Sequence, residues 1–441
     1  MNGQLTRRAF CRWGMATAFS GLSFTASAAG RRSTRPGAND RIGLGFIGVG
    51  NRGRQLMDAF LHHDDVRVVA LCDVDQTMLA KAVKKLSERV DTCKDFRRLL
   101  ERKDIDAVVI ATPDHWHAIQ TVEACKAGKD VYVEKPLSIT VQEGRIMVRA
   151  ARKYGRVVQV GTQRRSSPPC RKLAERVQRE EFGKICLARC YRISNMFPTG
   201  IGRARPTAPP PTLDWDLWLG PRPMRPYQPT IAPYKFRWWQ LYSSQVANWG
   251  VHYLDAIRWY CGELAPASVC AMGGRFAVDD DRTIPDTMEV VFQFASGRLA
   301  IFGQYETSQT RAFPYGDVEL RGTKATLYTS SNGYRVVPER GGQFQDPSPR
   351  AEPEEYHEPL SDADQAVLHT RNFLDCMRTR RQPNADIETG HRSTTFCLIA
   401  NISLAIGQRL EWDPKAERFT NSDEANQMLH YEYRKPWKLQ L

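Results

Sequence analysis

The stretch NWGVHYLD, residues 248–255, holds the side chains best suited to acid–base chemistry. On a helix Asn248, His252 and Asp255 fall at i, i+4 and i+7, so three polar side chains share one stripe. Trp249, Tyr253 and Ile257 form a second, apolar stripe suited to a core. A single histidine among apolar residues is most often a core histidine with satisfied hydrogen bonds, so its surroundings decide its role. The second candidate is Lys135 in VEKPLS, where an apolar run ends. Pro136 after it invites a cis bond that would turn the ammonium back toward a site outside the strand end. A lysine is ordinarily a surface residue; its place at a strand end makes this one a candidate.

GFIGVGNRG supplies Gly48, Gly50 and Gly53 in GxGxxG spacing, directly after an apolar run and at the start of a helical pattern, with Asn51 and Arg52 inside the loop. Glycines at these places permit the tight turn, the approach of backbone to a pyrophosphate and close helix packing, with the anion at a helix N-terminus. Asp73, ending the second strand in LCDVD, follows Gly48 by 25 residues. A carboxylate there accepts hydrogen bonds from both ribose hydroxyls and repels a 2′-phosphate, which favours NAD over NADP; the alternative is an aspartate that merely caps its loop. In an open parallel sheet the ligand lies outside the carboxyl ends of the strands. That rule brings Thr112, Pro113 and His117 of ATPDHWH, Glu134 and Lys135 of VEKPLS, and Gln163 of GTQRRS to the same cofactor.

The elements that must position these residues are legible. Between residues 41 and 161 the runs RIGLGFIG, VRVVALCD, DAVVIAT, DVYVEK and RVVQVG alternate with helical periodicity near 52–62, 76–89, 116–127 and 141–154. Near-continuous Val and Ile runs mean strands covered on both faces, so the fold class is α/β, beginning with a doubly wound parallel sheet of Rossmann type. Residues 162–441 read as an α+β domain. A Pro-rich arm at 197–234, containing TAPPPTLDWDLWLGP, is too rich in Pro for a core strand and too rich in Trp for a disordered linker. It is expected to lie on the surface or on a neighbouring subunit. Alternating segments such as TMEVVFQFASGRLAIFGQYE, with turn signals at SG, GT and NG, then predict a large antiparallel sheet, closed by helices near 362–377 and 389–408.

Together GxGxxG, EKP and the helix with GVHYLD resemble the glucose–fructose oxidoreductase, inositol dehydrogenase and rhizopine-catabolism family, shortened to Gfo/Idh/MocA. The resemblance extends from about Arg41 to the end, through GTQRRS, LDWDLWLGP and EYRKPW. It implies a Rossmann domain followed by an open-faced antiparallel sheet, homo-oligomers, NAD as cofactor, and oxidation or reduction of a carbinol on a sugar or cyclitol; some members cleave glycosides through transient oxidation. The family's lysine corresponds to Lys135, and its Asp-xxx-His-xx-Asp helix to Asn248, His252 and Asp255. This makes His252 the acid/base, since imidazole titrates near neutrality, and gives Lys135 the developing alkoxide to stabilise. Asn248 departs from the family's aspartate: an amide orients a ring but does not stabilise imidazolium as a charge.

Leu5–Phe10, LTRRAF, carries a twin arginine, followed by a weakly apolar run and the small-residue site ASA at 26–28. This order predicts a twin-arginine signal over residues 1–28, a linker at 29–40, and a periplasmic or otherwise exported protein. The run is shorter than the roughly 18 apolar residues of a membrane span. Loss of Arg7, Arg8 and Arg12 lowers the net charge from +14 to +11. The remaining Lys and Arg are scattered, without a basic helix, zinc-finger spacing or RNA-binding signature, so nucleic acid is not expected and anionic glycans remain open partners. The ten remaining cysteines include no CxxC pair, and zinc is not indicated. Cys186 and Cys190, four apart on a strand, are about 13 Å from each other and cannot pair. Nicotinamide cofactors do not form a freely exchanging pool outside the cytoplasm, so NAD is expected to be loaded before export and retained. The leading expectation is an exported oxidoreductase with tightly bound NAD acting on a sugar, glycoside or cyclitol carbinol. The alternative is NAD-dependent glycoside cleavage, and the least favoured is a non-catalytic sugar-binding protein.

Overall fold

The computed structural model describes residues 41–441, so the expected signal and linker lie outside the described residues. The first domain runs β1 (Ile42–Ile47), α1 (Asn51–Leu61), β2 (Val66–Cys72), α2 (Gln76–Val83), β3 (Asp91–Cys93), α3 (Phe96–Leu100), β4 (Ala107–Ile110), α4 (His117–Lys126), β5 (Asp130–Val133), α5 (Val141–Lys153) and β6 (Val158–Val160). Its six strands are parallel in the order β3-β2-β1-β4-β5-β6. Alternation along β4 shows why the runs are continuously apolar: Val108 and Ile110 enter one packed layer, Ala107 and Val109 the other. The short, largely exposed β3 carries no apolar run, and α2 ends six residues before its expected limit.

After α6 (Pro168–Gln178) and β7 (Ile185–Ile193), the chain forms the arm with its short α7 (Trp215–Leu219), then α8 (Val251–Tyr260). The second sheet continues with β8 (Ser268–Gly274), β9 (Thr287–Gln293), β10 (Leu299–Tyr305), β11 (Val318–Gly322), β12 (Ala325–Thr329), β13 (Gly333–Pro338) and β14 (Glu354–His357). Helices α9 (Asp362–Thr379) and α10 (Ile387–Ile406) follow, then β15 (Leu410–Asp413), β16 (Arg418–Phe419) and α11 (Asp423–Gln427). The order of this sheet is β14-β13-β12-β11-β7-β10-β9-β8-β15-β16. It is mostly antiparallel, as expected, but β7 and β10 pair in parallel. Met288, Val290 and Phe292 of β9 face the helices, whereas Glu289, Val291 and Gln293 face outward, leaving one side open.

Two segments bind the halves together. The arm packs on the chain's own first domain: the Gln76 amide donates to the Thr212 carbonyl at 2.9 Å, that of Asp214 to Val74 at 3.0 Å, and Lys94 pairs with Asp214 at 2.8 Å. Its core of Leu213, Trp215, Trp218, Tyr227 and Ile231 explains the tryptophan content. Helix α9 packs on α1 instead of closing the second sheet, with Phe373 edge-on to Phe60 at 6.2 Å. Among the described residues no helix is long and apolar enough to cross a membrane, no metal-ligand cluster exists, and all ten cysteines are free.

Candidate active site

A cavity of about 1330 Å³ runs from the glycine loop to α8. Its volume exceeds that of an ordinary small-molecule site and suits a dinucleotide plus a second substrate. At one end Gly48 has φ +83°, and a Cβ there would lie 2.7 Å from the Ala111 carbonyl carbon. A Cβ on Gly53 would lie 2.0 Å from the Gly48 carbonyl oxygen, so this glycine lets α1 close against the loop and does not itself face the cavity. Gly50 has nothing within 4 Å of its Cβ position and lines the cavity; it precedes an α1 N-terminus that has no side-chain cap and no acidic residue in its first turn. That is open backbone for an anion. Asp73 lines the same end, its Oδ2 accepting from the Val49 amide at 2.8 Å and its Oδ1 from Asp75 at 2.9 Å. It therefore caps its loop and still keeps lone pairs for ribose hydroxyls. Burial raises its carboxyl to about 6 despite these bonds. Asn51, Arg52, Thr112, Pro113, Glu134 and Gln163 complete the wall. The residues present fit NAD.

At the other end Lys135, Asn248, His252 and Trp249 converge. The Lys135–Pro136 bond is cis, and the Lys135 ammonium donates to the Asn248 carbonyl at 2.7 Å. Burial lowers the Lys135 pKa to about 8, against the opposing pull of Glu134 and Asp114. Glu134 accepts from Arg52 Nε at 2.8 Å; although burial pushes it up, Arg52 and Lys135 hold it below the usual carboxylate range. Asp114, buried and bonded by the Ser243 hydroxyl, is pushed up by desolvation. His252 has no hydrogen bond from protein among the described residues and opens to the cavity. Burial, with Lys135, Arg164 and Arg52 adding to it, holds His252 well below its ordinary 6.5, so the ring is a neutral base at neutral pH.

A π turn over Val246–Gly250 precedes α8 and reshapes the expected stripe. Asn248 and His252 face the cavity, yet no hydrogen bond joins their side chains among the described residues. Trp249 leaves the apolar stripe and enters the cavity wall, with Arg192 stacked 3.9 Å from its ring centre, while Tyr253 and Ile257 remain in the core. Asp255 does not reach the site. It is buried in a bidentate pair with Arg165 at 2.8 Å and accepts from Ser393, because a carboxylate facing the core needs a partner there. His117 also stays outside: its ring nitrogens face the Pro136 and Thr112 carbonyls at 2.7 and 3.0 Å and brace the ends of β4 and β5. Sequence reasoning missed Asp114, although it lies inside ATPDHWH, Tyr234 at the end of the arm, and Phe236 and Arg237, which KFRWW after the arm carries to the wall.

Three family models match the chain in succession: an oxidoreductase family with NAD-binding Rossmann fold over residues 42–162, a GFO/IDH/MocA C-terminal domain over 221–328, and an oxidoreductase-family C-terminal alpha/beta domain over 342–439. The chain belongs to the GFO/IDH/MocA oxidoreductase family. That family is one of oxidoreductases with an NAD-binding Rossmann fold, and the glycine loop and Asp73 lie in the part of the chain that its NAD-binding model matches. A glycosyl hydrolase family 109 protein of Shewanella putrefaciens (strain CN-32 / ATCC BAA-453) is 41% identical over 112 residues, 24% of each chain. The matched segment thus spans about a quarter of that relative's length. Levoglucosan dehydrogenase, solved with NADH and levoglucosan, superposes with TM-score 0.65 at 16% identity, covering 84% of this chain and 99% of that one. An NAD binding oxidoreductase from Klebsiella pneumoniae gives 0.65 at 18%, and an aldose-aldose oxidoreductase from Caulobacter crescentus 0.63 at 17%, both over 84% of this chain and 99% of theirs. At such identities the likeness establishes the fold, which is the family's: a parallel Rossmann-like sheet followed by a mixed, mostly antiparallel one.

Proposed function

We propose that this GFO/IDH/MocA protein oxidises a carbinol of a sugar, glycoside or cyclitol, and that it works after export with NAD retained. The carrying observation is that Lys135 and His252 meet at one end of a cavity whose other end is the glycine loop and Asp73. NAD, when bound, supplies the hydride acceptor. His252, neutral and without a hydrogen bond to protein among the described residues, takes the proton of the substrate hydroxyl. Lys135, fixed by the Asn248 carbonyl, donates to the same oxygen as negative charge develops. Asn248 and Gln163 offer side-chain amides for hydroxyls; the Gln163 oxygen is buried without a partner among the described residues. Retention is supported by the arm, whose bonds to Val74 and Gln76 lie next to Asp73, and export by the twin arginine and ASA site.

A second reading, glycoside cleavage by oxidation, elimination and return of the hydride, is favoured by the stretch shared with the family 109 relative. Purified protein incubated with a glycoside panel separates the two. A stable keto-sugar with reduced bound cofactor supports the first; released aglycone without net redox supports the second. Failure to find NAD in freshly exported protein would sink the retained-cofactor part of the proposal.

A further inference from the structure

Arg237 reaches the cavity wall from the segment after the arm. Its guanidinium lies 4.1 Å from the Tyr234 ring centre and 4.5 Å from that of Phe236, and its Nη1 donates to the Tyr234 carbonyl at 2.8 Å. These contacts fix the group, yet no carboxylate among the described residues pairs with it. It acts on the reacting end, where its charge adds to the burial that lowers the Lys135 ammonium and offsets part of the desolvation that raises the Asp114 carboxyl. The other charges there are occupied: Arg52 with Glu134, Asp114 with the Ser243 hydroxyl, Lys135 with the Asn248 carbonyl. What remains unpartnered among the described residues is a half-buried cationic fork, held through one Nη1, with most of its five N–H donors free. A guanidinium binds a carboxylate through two parallel hydrogen bonds, a match that neutral hydroxyls do not reproduce.

We propose that the substrate is a carboxylate-bearing sugar, of uronic or aldonic acid type, and that Arg237 receives the carboxylate while the carbinol lies at Lys135 and His252. The proposal rests on the sugar-oxidoreductase reading for the chemistry, but the binding claim stands on Arg237. The net charge, +14 for the full chain and +11 without Arg7, Arg8 and Arg12, acts in the same direction, drawing anions toward the protein.

The test is calorimetric titration of the NAD-loaded full chain with D-glucuronate, D-galacturonate and D-gluconate, each against its neutral counterpart D-glucose, D-galactose or D-glucitol. The acids should bind about 10- to 100-fold more tightly, the scale of charge-assisted hydrogen bonds. Arg237→Gln should erase that preference, and Arg237→Lys, which keeps the charge without the fork, should restore only part of it. Equal binding of acid and neutral sugars by the wild type, or an unchanged preference in Arg237→Gln, overturns the proposal. So does loss of NAD from Arg237→Gln with acid preference intact, which would place the guanidinium on the pyrophosphate. D-glucose 6-sulfate binding as tightly as glucuronate, with Arg237→Lys fully competent, overturns the carboxylate assignment in favour of a general anion site. Bound-NADH fluorescence is read separately. Acid binding at Arg237 with no NADH formed upholds the carboxylate site and sinks the redox reading; NADH formed equally from acids and neutral sugars does the reverse.

Discussion

At the glycine-loop end of the cavity the carboxylate is tied to the fold: Asp73 holds the Val49 and Asp75 amides. At the Lys135 end, the His252 ring, the Asn248 amide and the Arg237 fork face the cavity with little or no protein to satisfy them. A group already paired in the free protein contributes shape and preorganisation, whereas an unpaired one has its full hydrogen-bonding capacity left for a ligand. The difference teaches where recognition is generic and where it is particular. The first end is built to hold a cofactor common to a family, and the second keeps its donors and acceptors for a substrate.

Mutations can break or sharpen this contrast. The largest effect is expected from His252→Ala, which should lower carbinol oxidation by about two to four orders of magnitude. Because its ring bonds to no described residue, the variant should melt close to the wild type; a large drop in melting temperature with near-normal turnover would make His252 a core residue. Lys135→Met should cost roughly 100-fold or more in kcat with NAD content kept. The wild-type rate should also fall as pH rises through about 8, where Lys135 loses its proton, and stay flat there if the ammonium plays no part. Asp73→Ala should weaken NAD retention by roughly 1–3 kcal/mol, measured as the dissociation constant of reloaded protein, since a charged acceptor and a loop brace are lost together. The smallest effect belongs to Asn248→Asp. A carboxylate facing the same cavity favours imidazolium, so the His252 pKa rises and the acid limb of the pH–rate profile moves up by about one unit. An unmoved limb would mean that the two side chains act independently.

Much of this was legible in the chain, for identifiable reasons. The parallel sheet declared itself because both faces of its central strands are covered, and the cofactor end because three glycines, an aspartate and a strand–helix switch are contiguous requirements. What stayed hidden depends on partners distant in sequence. Asp255 shares its segment with His252, but Arg165 and Ser393 draw it into the core. His117 sits among cavity residues, but the Pro136 and Thr112 carbonyls claim its ring. The π turn at Val246–Gly250 shifts Trp249 out of its periodic place, and simple helical spacing has no signal for that. β3 escaped notice because three largely exposed residues need no apolar run. Arg237 became a site residue only once the arm folded onto the first domain.

The crossing of α9 onto α1 limits how this architecture can be divided. Phe373 covers Phe60 and Tyr132, and the Val160 amide at the sheet's edge donates to the carbonyl of Ala385, more than two hundred residues later. A chain cut after Gly161 would keep every glycine of the loop and all six strands, yet bare an aromatic face and leave an edge hydrogen bond unmade. The nucleotide-binding half is therefore not a portable module: exchanged between proteins, it has to travel with the helix that the other half lends it.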